Sequence, residues 1–319
     1  MPDGPLQVSM SIDPDAVTAQ VNRRVFGSFV EHMGRGVYGG LYEPDHPHAD
    51  EDGYRSDVLA LVRELGVSIV RYPGGNFVSG YRWEDGVGPV GRRPARFDLA
   101  WRSIEPNVFG LDEFARWSAK AGTDIMLSVN LATRGPRQAA ELVEYANVTG
   151  GSRLSDLRRR HGREHPYGVR TWCLGNEMDG PWQIGHKSAE EYGRLALETA
   201  NAMRAVDPNL ELVTCGSSGR SMPGFGSWDE TVLEHCYEVV DLISAHAYYD
   251  PGASDLPSFI ASSAAMDEQI RQVVAISDRV RRRKGVAKQL GISFDEWNVW
   301  YMGHHEAQGP NHEWRQAPR

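Results

Sequence analysis

The sequence predicts an α/β fold, a (β/α)8 barrel of the TIM type, from three observations. Short apolar runs typical of buried strands alternate with helical patterns seven times. Polar side chains stand at the ends of most of these runs, where the loops of a barrel form a site. The length of 319 residues suits a large barrel domain. Together these observations favour a barrel over a doubly wound sheet.

The composition is that of a globular protein with a sizeable core, at 40% hydrophobic and 24% charged residues. A net charge of −9 argues against nucleic acid or an anionic membrane as a partner. No run of about 18 apolar residues occurs, so we expect no transmembrane helix, and the N-terminal residues predict no signal peptide. The cysteines, Cys173, Cys215 and Cys236, fit buried free thiols in a reducing compartment. We therefore expect a cytoplasmic protein.

The first elements are bounded by recognisable signals. Residues 7–12 alternate polar and apolar side chains like a half-buried strand, and residues 25–31 form the first barrel strand. Ser56 begins a helix that Gly66 ends, and a strand over residues 67–72 follows. Further strands are predicted over residues 125–130, 169–174, 210–215, 242–246 and 292–296. Further helices are predicted over residues 111–121, 137–145, 189–204, 229–236 and 264–282.

Two of the strands end in carboxylates that could act as a pair. The strand over residues 169–174 stops at Gly175 and is followed by Asn176 and Glu177, and the last strand ends at Glu296. Carboxylates on one face of a barrel can serve a glycosidase, one as proton donor and one as nucleophile. The aromatic residues after Glu296 offer flat walls for a sugar ring and can raise a carboxyl pKa by desolvation. Taken alone, the first of these stretches could instead be a turn in which Asn176 and Glu177 are solvated.

Histidines and basic runs suggest other functions less strongly. His46, His48, His304 and His305 lie in polar loops at spacings that fit no closed ligand set, so we expect no metal. The basic runs at 158–160 and 281–284 have no interleaved aromatic residues for stacking on bases. We expect both runs to be solvated faces, the second also complementing a helix dipole.

Five ordered blocks, spread along nearly the whole chain, resemble the family 51 glycoside hydrolases, the intracellular α-L-arabinofuranosidases. They span residues 26–32, 71–77, 83–89, 175–183 and 295–301. An Asn-Glu pair alone would be a weak signal, but five blocks in this order are specific. The resemblance implies a retaining enzyme with its carboxylates at barrel strands 4 and 7.

The resemblance also implies residue roles, without a cofactor. Glu177 is the general acid/base and Glu296 the nucleophile. The residues that hold the arabinose hydroxyls are Glu31, Asn76, Asn176 and Tyr248. Trp300 helps to recognise the substrate, and Trp101 is a candidate wall of the pocket. Arg71 and His246 belong to the shell that orients the carboxylates.

The implied function is exo-acting, retaining hydrolysis of terminal non-reducing α-L-arabinofuranosyl residues from arabinose-containing oligosaccharides, through a covalent glycosyl-enzyme. One alternative is another retaining glycosidase of the same clan, xylanase-like or β-galactosidase-like. Others are an inactive sugar-binding fragment and a metal-dependent barrel hydrolase.

The resemblance finally implies a domain organisation. Residues 1–20 would form an N-terminal strand that joins a β-sandwich, and residues 21–319 the catalytic barrel through strand 7. Family members continue into an eighth strand, with a glutamine that contacts the sugar, and then the β-sandwich. We expect this chain to lack both, and the full-length protein to form homo-oligomers.

Overall fold

Seven parallel strands form one sheet, in chain order, in the computed structural model, which describes residues 8–301. The first strand approaches the last, so the sheet curls into a nearly closed barrel and confirms the predicted fold class. The strands are β1 Ser28–Phe29, β2 Ile69–Tyr72, β3 Asp124–Val129, β4 Thr171–Leu174, β5 Glu211–Thr214, β6 Leu242–Tyr249 and β7 Gly291–Val299.

Helices connect the strands, and neighbouring helices pack side by side. They are α1 Ser56–Glu64, α2 Leu111–Ala121, α3 Pro136–Asn147, α4 Arg153–Arg160, α5 Ala189–Val206, α6 Ser227–Cys236, α7 Leu256–Ile260 and α8 Ser263–Lys284. The loop after β2 also contains a small antiparallel ribbon, formed by Arg96–Phe97 and Ile104–Glu105. Helices α4 and α7 and this ribbon were not predicted from the sequence. The predicted helices are present, with ends shifted by at most two residues.

Local signals explain where several helices begin and end. Ser188 and Glu191 form a reciprocal capping box at the start of α5, which satisfies backbone N–H groups that have no partner within the helix. Gly285 ends α8 in the left-handed conformation, which glycine adopts without steric cost. The basic run at 281–284 occupies the last turn of α8, as predicted, and its Arg283 pairs with Glu230 at 2.7 Å.

The core has an outer and an inner part. Large aromatic side chains, among them Trp117 and Trp172, fill the main hydrophobic cluster. A smaller layer contains one side chain from each of β2 to β5, namely Ile69, Met126, Cys173 and Val213. Side chains alternate along a strand, so Arg71 points to the same face as Ile69, two positions earlier. A polar layer therefore lies next to this small apolar layer.

The three cysteines are free and buried, as predicted. Within residues 8–301, no helix is both long and apolar enough to cross a membrane.

The N-terminal segment differs from the prediction. Residues 8–12 form no strand, and Val8, Met10 and Ile12 are exposed, because no neighbouring strand among the described residues pairs with them. Three residues named in the sequence analysis lie outside the described residues: Gln7, His304 and His305. The residues after 301, on which the expected lack of an eighth strand depends, lie outside them as well. The first barrel strand is also shorter than predicted, because a 3-10 turn occupies Arg23–Phe26.

The basic run at 158–160 is a solvated face only in part. Arg159 and Arg160 are exposed, but Arg158 has no exposed surface. Its guanidinium donates to the carbonyls of Tyr145 at 2.8 Å and Val148 at 2.6 Å, at the C-terminal end of α3. The prediction was wrong for Arg158, because the helical period of α4 turns this residue inward. Arg158 therefore satisfies carbonyl groups that α3 cannot.

We expect Arg158→Ala to lower the free energy of unfolding by about 3 kcal/mol, because several charge-assisted hydrogen bonds are lost and buried carbonyls lose their donors. Urea unfolding would measure the change. Arg159→Ala, in the same helix but exposed, is the matched control and should leave stability nearly unchanged. Equal small losses in both variants would contradict this account of Arg158.

Candidate active site

The polar side chains predicted at strand ends meet at the carboxyl end of the barrel. Glu177 follows β4 and Glu296 lies on β7, and these residues are only 8% and 4% exposed. One oxygen of each carboxylate and one ring nitrogen of His246 lie within 4.8 Å of one another. The structure thus brings together two carboxylates that are 119 residues apart in the sequence (296 − 177).

The chain turns sharply as it leaves β4. Gly175 and Glu177 both have left-handed backbones, with φ of 93° and 44°. Such a conformation costs a non-glycine residue roughly 1–3 kcal/mol, so the surroundings must hold Glu177 in place. The amide of Gly180 donates to the carbonyl of Glu177 at 2.9 Å. The indole N–H of Trp182 donates to the side-chain carboxylate of Glu177 at 2.8 Å.

A β-bulge in β7 places two consecutive carboxylates on one face. Ser244 pairs with Ser293 but His246 pairs with Glu296, so a step of two residues on β6 faces a step of three on β7. In a regular strand, Asp295 and Glu296 would point to opposite faces. The extra residue removes this alternation, and both side chains contact inward-facing residues of β6.

Glu296 accepts hydrogen bonds from two donors. Nη1 of Arg71 donates to one carboxylate oxygen at 2.8 Å, and the hydroxyl of Tyr248 donates to the other at 2.8 Å. Arg71 also donates to the side-chain oxygen of Asn176. The guanidinium of Arg71 therefore links Asn176, in the loop after β4, to Glu296 on β7.

Glu177 has surroundings that favour its protonated form. Burial raises the pKa of Glu177 and the charge of Glu296 raises it further, whereas the hydrogen bond with His246 lowers it. The net direction is upward, which suits a carboxyl group that must donate a proton near neutral pH.

His246 lies between carboxylates on both sides of its ring. Nδ1 is 2.9 Å from Glu177 and 3.7 Å from Glu296, and Nε2 is 2.9 Å from Asp295. Burial lowers the pKa of His246, but these three carboxylates outweigh it and raise the pKa to about 10. The side chains of Glu177, His246 and Glu296 lie close enough together to bind a metal ion. A doubly protonated imidazole ring, however, has no lone pair to offer to a metal.

Glu31 forms a second acidic position in the site. Its carboxylate accepts from the backbone N–H of Phe77 and the indole N–H of Trp101, each at 2.8 Å. Burial and the charge of Glu296 raise the pKa of Glu31 to about 8, against these hydrogen bonds. Gly75 has a left-handed backbone, and a Cβ there would overlap the Glu31 carboxylate. Position 75 therefore requires glycine, because the Glu31 carboxylate occupies the space that a Cβ atom would need.

The remaining predicted residues line the same region. Nδ2 of Asn176 is buried and has no hydrogen-bond partner among the described residues. Asn76 is half-buried and begins a 3-10 turn after β2. The ring of Trp300 meets that of Tyr248 edge-on, with centroids 5.1 Å apart. Asn130, directly after β3, stabilises its own loop, where its side-chain oxygen accepts from the amide of Thr133 at 3.0 Å.

The sequence analysis did not identify Asp295 or Trp182 as site residues. Asp295 stands beside Glu296, but strand alternation predicts that it points away. Trp182 lies five residues after Glu177 in a turn whose geometry the sequence does not specify, and it is 51% exposed although its indole N–H reaches the carboxylate. His46 and His48 belong to no cluster of potential metal ligands within residues 8–301.

Comparison with known proteins gives consistent matches. Residues 61–267 match the family model described as the alpha-L-arabinofuranosidase 1 domain. The chain is 58% identical to the intracellular exo-alpha-(1->5)-L-arabinofuranosidase of Streptomyces lividans, over 97% of this chain and 47% of that protein. It is 55% identical to the exo-alpha-(1->6)-L-arabinofuranosidase of Bifidobacterium longum, over 97% of this chain and 60% of that protein.

A solved structure gives the same picture. A family 51 alpha-L-arabinofuranosidase from Bifidobacterium longum superposes with a TM-score of 0.89 at 52% identity, over 92% of this chain and 60% of that one. The chain thus spans about half to three fifths of the length of the relatives it matches.

Proposed function

This chain belongs to glycoside hydrolase family 51, the α-L-arabinofuranosidases, and we propose that it forms the catalytic barrel of such an enzyme. The proposed reaction is exo-acting hydrolysis of terminal non-reducing α-L-arabinofuranosyl residues from arabinose-containing oligosaccharides. The names of the two relatives give different linkages, α-(1→5) and α-(1→6), but the same released sugar. We therefore base the proposal on the sugar and not on the linkage.

The separation of the two carboxylates carries the proposal. Retaining glycosidases hold their carboxyl groups about 5–5.5 Å apart, whereas inverting enzymes need roughly 6.5–9.5 Å to admit a water molecule. In this chain, one oxygen of Glu177 and one oxygen of Glu296 are within 4.8 Å. The two carboxylates thus approach each other closely enough for the shorter, retaining arrangement, in which the reaction proceeds through two displacements.

In the first displacement, the Glu296 carboxylate attacks the anomeric carbon while Glu177 gives its proton to the leaving oxygen. The products are a glycosyl ester on Glu296, a free alcohol and an ionised Glu177. In the second displacement, Glu177 takes a proton from water as the water oxygen attacks the anomeric carbon. Arabinose leaves, Glu296 is a carboxylate again and Glu177 is protonated again.

The other residues have supporting roles in this proposal. The unpartnered Nδ2 of Asn176 is available to a sugar hydroxyl, since a buried amide without a partner is costly. Glu31 and Asn76 would bind further hydroxyls, while Tyr248 both holds Glu296 and contacts the sugar. Trp101 and Trp300 would supply the flat walls. Arg71 and His246 would hold the catalytic carboxylates in position.

The wider organisation is also proposed. The exposed Val8, Met10 and Ile12 fit a segment, residues 1–20, that joins a β-sandwich outside the described residues, beside a barrel over 21–319. The names of the relatives support an intracellular, cytoplasmic location. Family resemblance supports a homo-oligomer, which sedimentation of the intact protein would test.

We expect the intact protein to release the α anomer of arabinose first, because two inversions at one carbon restore its configuration. Proton NMR during the first minutes of turnover of an aryl α-L-arabinofuranoside would measure this. Aryl β-D-xylopyranoside and β-D-galactopyranoside should turn over far more slowly. A β first product would contradict the two-step mechanism, and preference for either pyranoside would indicate another member of the clan.

A further inference from the structure

Both ring nitrogens of His246 face carboxylate groups. Its Nδ1 faces two carboxylates, Glu177 at 2.9 Å and Glu296 at 3.7 Å. Its Nε2 faces Asp295 at 2.9 Å and the hydroxyl of Ser244 at 3.1 Å. Elsewhere around it, Tyr248 on the same strand binds Glu296, and Gln269 of α8 binds only the backbone carbonyl of His246.

The buried charges balance before the reaction. Arg71 and a doubly protonated His246 supply two positive charges, and Asp295 and Glu296 supply two negative charges. Glu177 must be protonated to act as an acid, and Glu31, with a pKa of about 8, is mostly protonated at neutral pH. The site is thus close to neutral, as a desolvated cluster requires.

The charges also balance after the first displacement. Glu296 loses its charge on becoming an ester, and Glu177 gains one when its proton leaves with the alcohol. The negative charge therefore moves from one carboxylate to the other. Arg71 contacts Glu296 at 2.8 Å, so the cation beside the newly ionised Glu177 is His246.

We propose that Asp295 is a positioning residue that keeps His246 doubly protonated, so that one imidazolium is the counter-ion of Glu296 before the first displacement and of Glu177 after it. The inference rests on the proposed two-step hydrolysis. Asp295 contacts neither reacting carboxylate in this scheme and acts through the ring of His246.

The surroundings of Asp295 fit this role. Oδ1 accepts from Ser244 at 2.6 Å and Oδ2 accepts from Ser293 at 2.9 Å, so the carboxylate is held toward Nε2. Burial raises the pKa of Asp295, but the charge of Arg71 and the hydrogen bond with His246 outweigh it and lower the pKa to about 2. Asp295 therefore stays ionised throughout the working pH range and keeps its hold on the second ring proton.

The first test observes the ring of His246 directly and needs no turnover. Nitrogen-15 NMR of histidine-labelled protein distinguishes a doubly protonated ring from a neutral one, and the signal is assigned by its absence in His246→Gln. We expect a doubly protonated ring at pH 7.5 in the wild type, and in Asp295→Asn we expect the ring to lose its second proton at a lower pH than in the wild type. A neutral ring in the wild type, or an unchanged ring in the variant, would overturn the proposal.

The second test separates the two displacements. With a dinitrophenyl α-L-arabinofuranoside, the leaving group needs no proton, and Glu296 keeps the closer cation Arg71 at 2.8 Å when the imidazolium is lost. The first displacement should therefore change little in Asp295→Asn. The second displacement should slow by roughly 10- to 100-fold, because Glu177 loses its neighbouring cation when it must act as a base. We therefore expect kcat and KM to fall together, with kcat/KM nearly retained. An equal loss in kcat and kcat/KM would indicate only structural damage and would reject the role.

Two further variants serve as controls. Ser293→Ala removes one hydrogen bond to Asp295 but keeps its charge, so the His246 ring should stay doubly protonated. Asp295→Glu also keeps the charge and should retain more of kcat than Asp295→Asn; a rank order in which Asn matches Glu would count against the proposal. A wild type with a doubly protonated ring but no arabinofuranosidase activity would refute the proposed function and leave the charge assignment intact.

Discussion

A Glu296→Ala variant is expected to lose turnover by on the order of 10⁵-fold, even with activated aryl α-L-arabinofuranosides, because no covalent glycosyl-enzyme can form. Arg71 and Tyr248 both donate to this carboxylate and hold it in place on β7. Release of nitrophenol by the intact protein measures the loss. Rates close to the wild type would rule out Glu296 as the nucleophile.

An added small anion provides the control for this variant. Azide can occupy the space of the missing carboxylate and attack the anomeric carbon once, which gives an arabinosyl azide of inverted configuration. Such a product would show that the variant is folded and still binds the substrate. Near-ultraviolet circular dichroism would verify folding independently of any reaction.

A Glu177→Ala variant should respond strongly to the leaving group. Substrates with poor leaving groups depend on proton donation, so their turnover should fall by roughly 10²- to 10⁴-fold. A substrate with a very acidic leaving group should still glycosylate Glu296. The glycosyl-enzyme should then accumulate, because no base activates water, and a burst of released aryl alcohol should precede a slow steady state.

Azide should also rescue this second variant, but with the opposite stereochemistry. It needs no base and meets no repelling carboxylate at position 177, so it should attack the glycosyl-enzyme and give an arabinosyl azide of retained configuration. The measurement is a comparison of two leaving groups, each with and without azide. Equal losses on both substrates, together with no rescue, would exclude Glu177 as the acid/base.

Much of the fold could be predicted because local signals and tertiary packing agree. The runs that became β2 and β4 are buried at every position, and apart from Arg71 and Thr171 their side chains are apolar or aromatic. The predicted end of the strand at Gly175 agrees with the end of β4 at Leu174, and Glu177 follows it at the carboxyl end of the barrel. Helix α4 was missed because its eight residues include four arginines and few apolar side chains.

The predictions that failed depend on long-range contacts. Whether residues 8–12 form a strand depends on a partner strand, not on their own alternation. Arg158 is buried because the end of α3 has free carbonyls beside it, and nothing in the basic run distinguishes it from Arg159. Asp295 faces the site because of one extra residue in β7, which becomes apparent only when the register with β6 is known.

The left-handed backbone of Glu177 lowers the stability of the fold at a residue that the proposed reaction needs. Selection for stability alone would favour glycine or asparagine at this position, since both adopt positive φ more readily than glutamate. A relative with either substitution would gain a more stable barrel and lose the proposed proton donor. The glutamate persists only while hydrolysis is selected, so residue 177 is where we would look first to tell a working enzyme from a relative that has kept the fold and abandoned the chemistry.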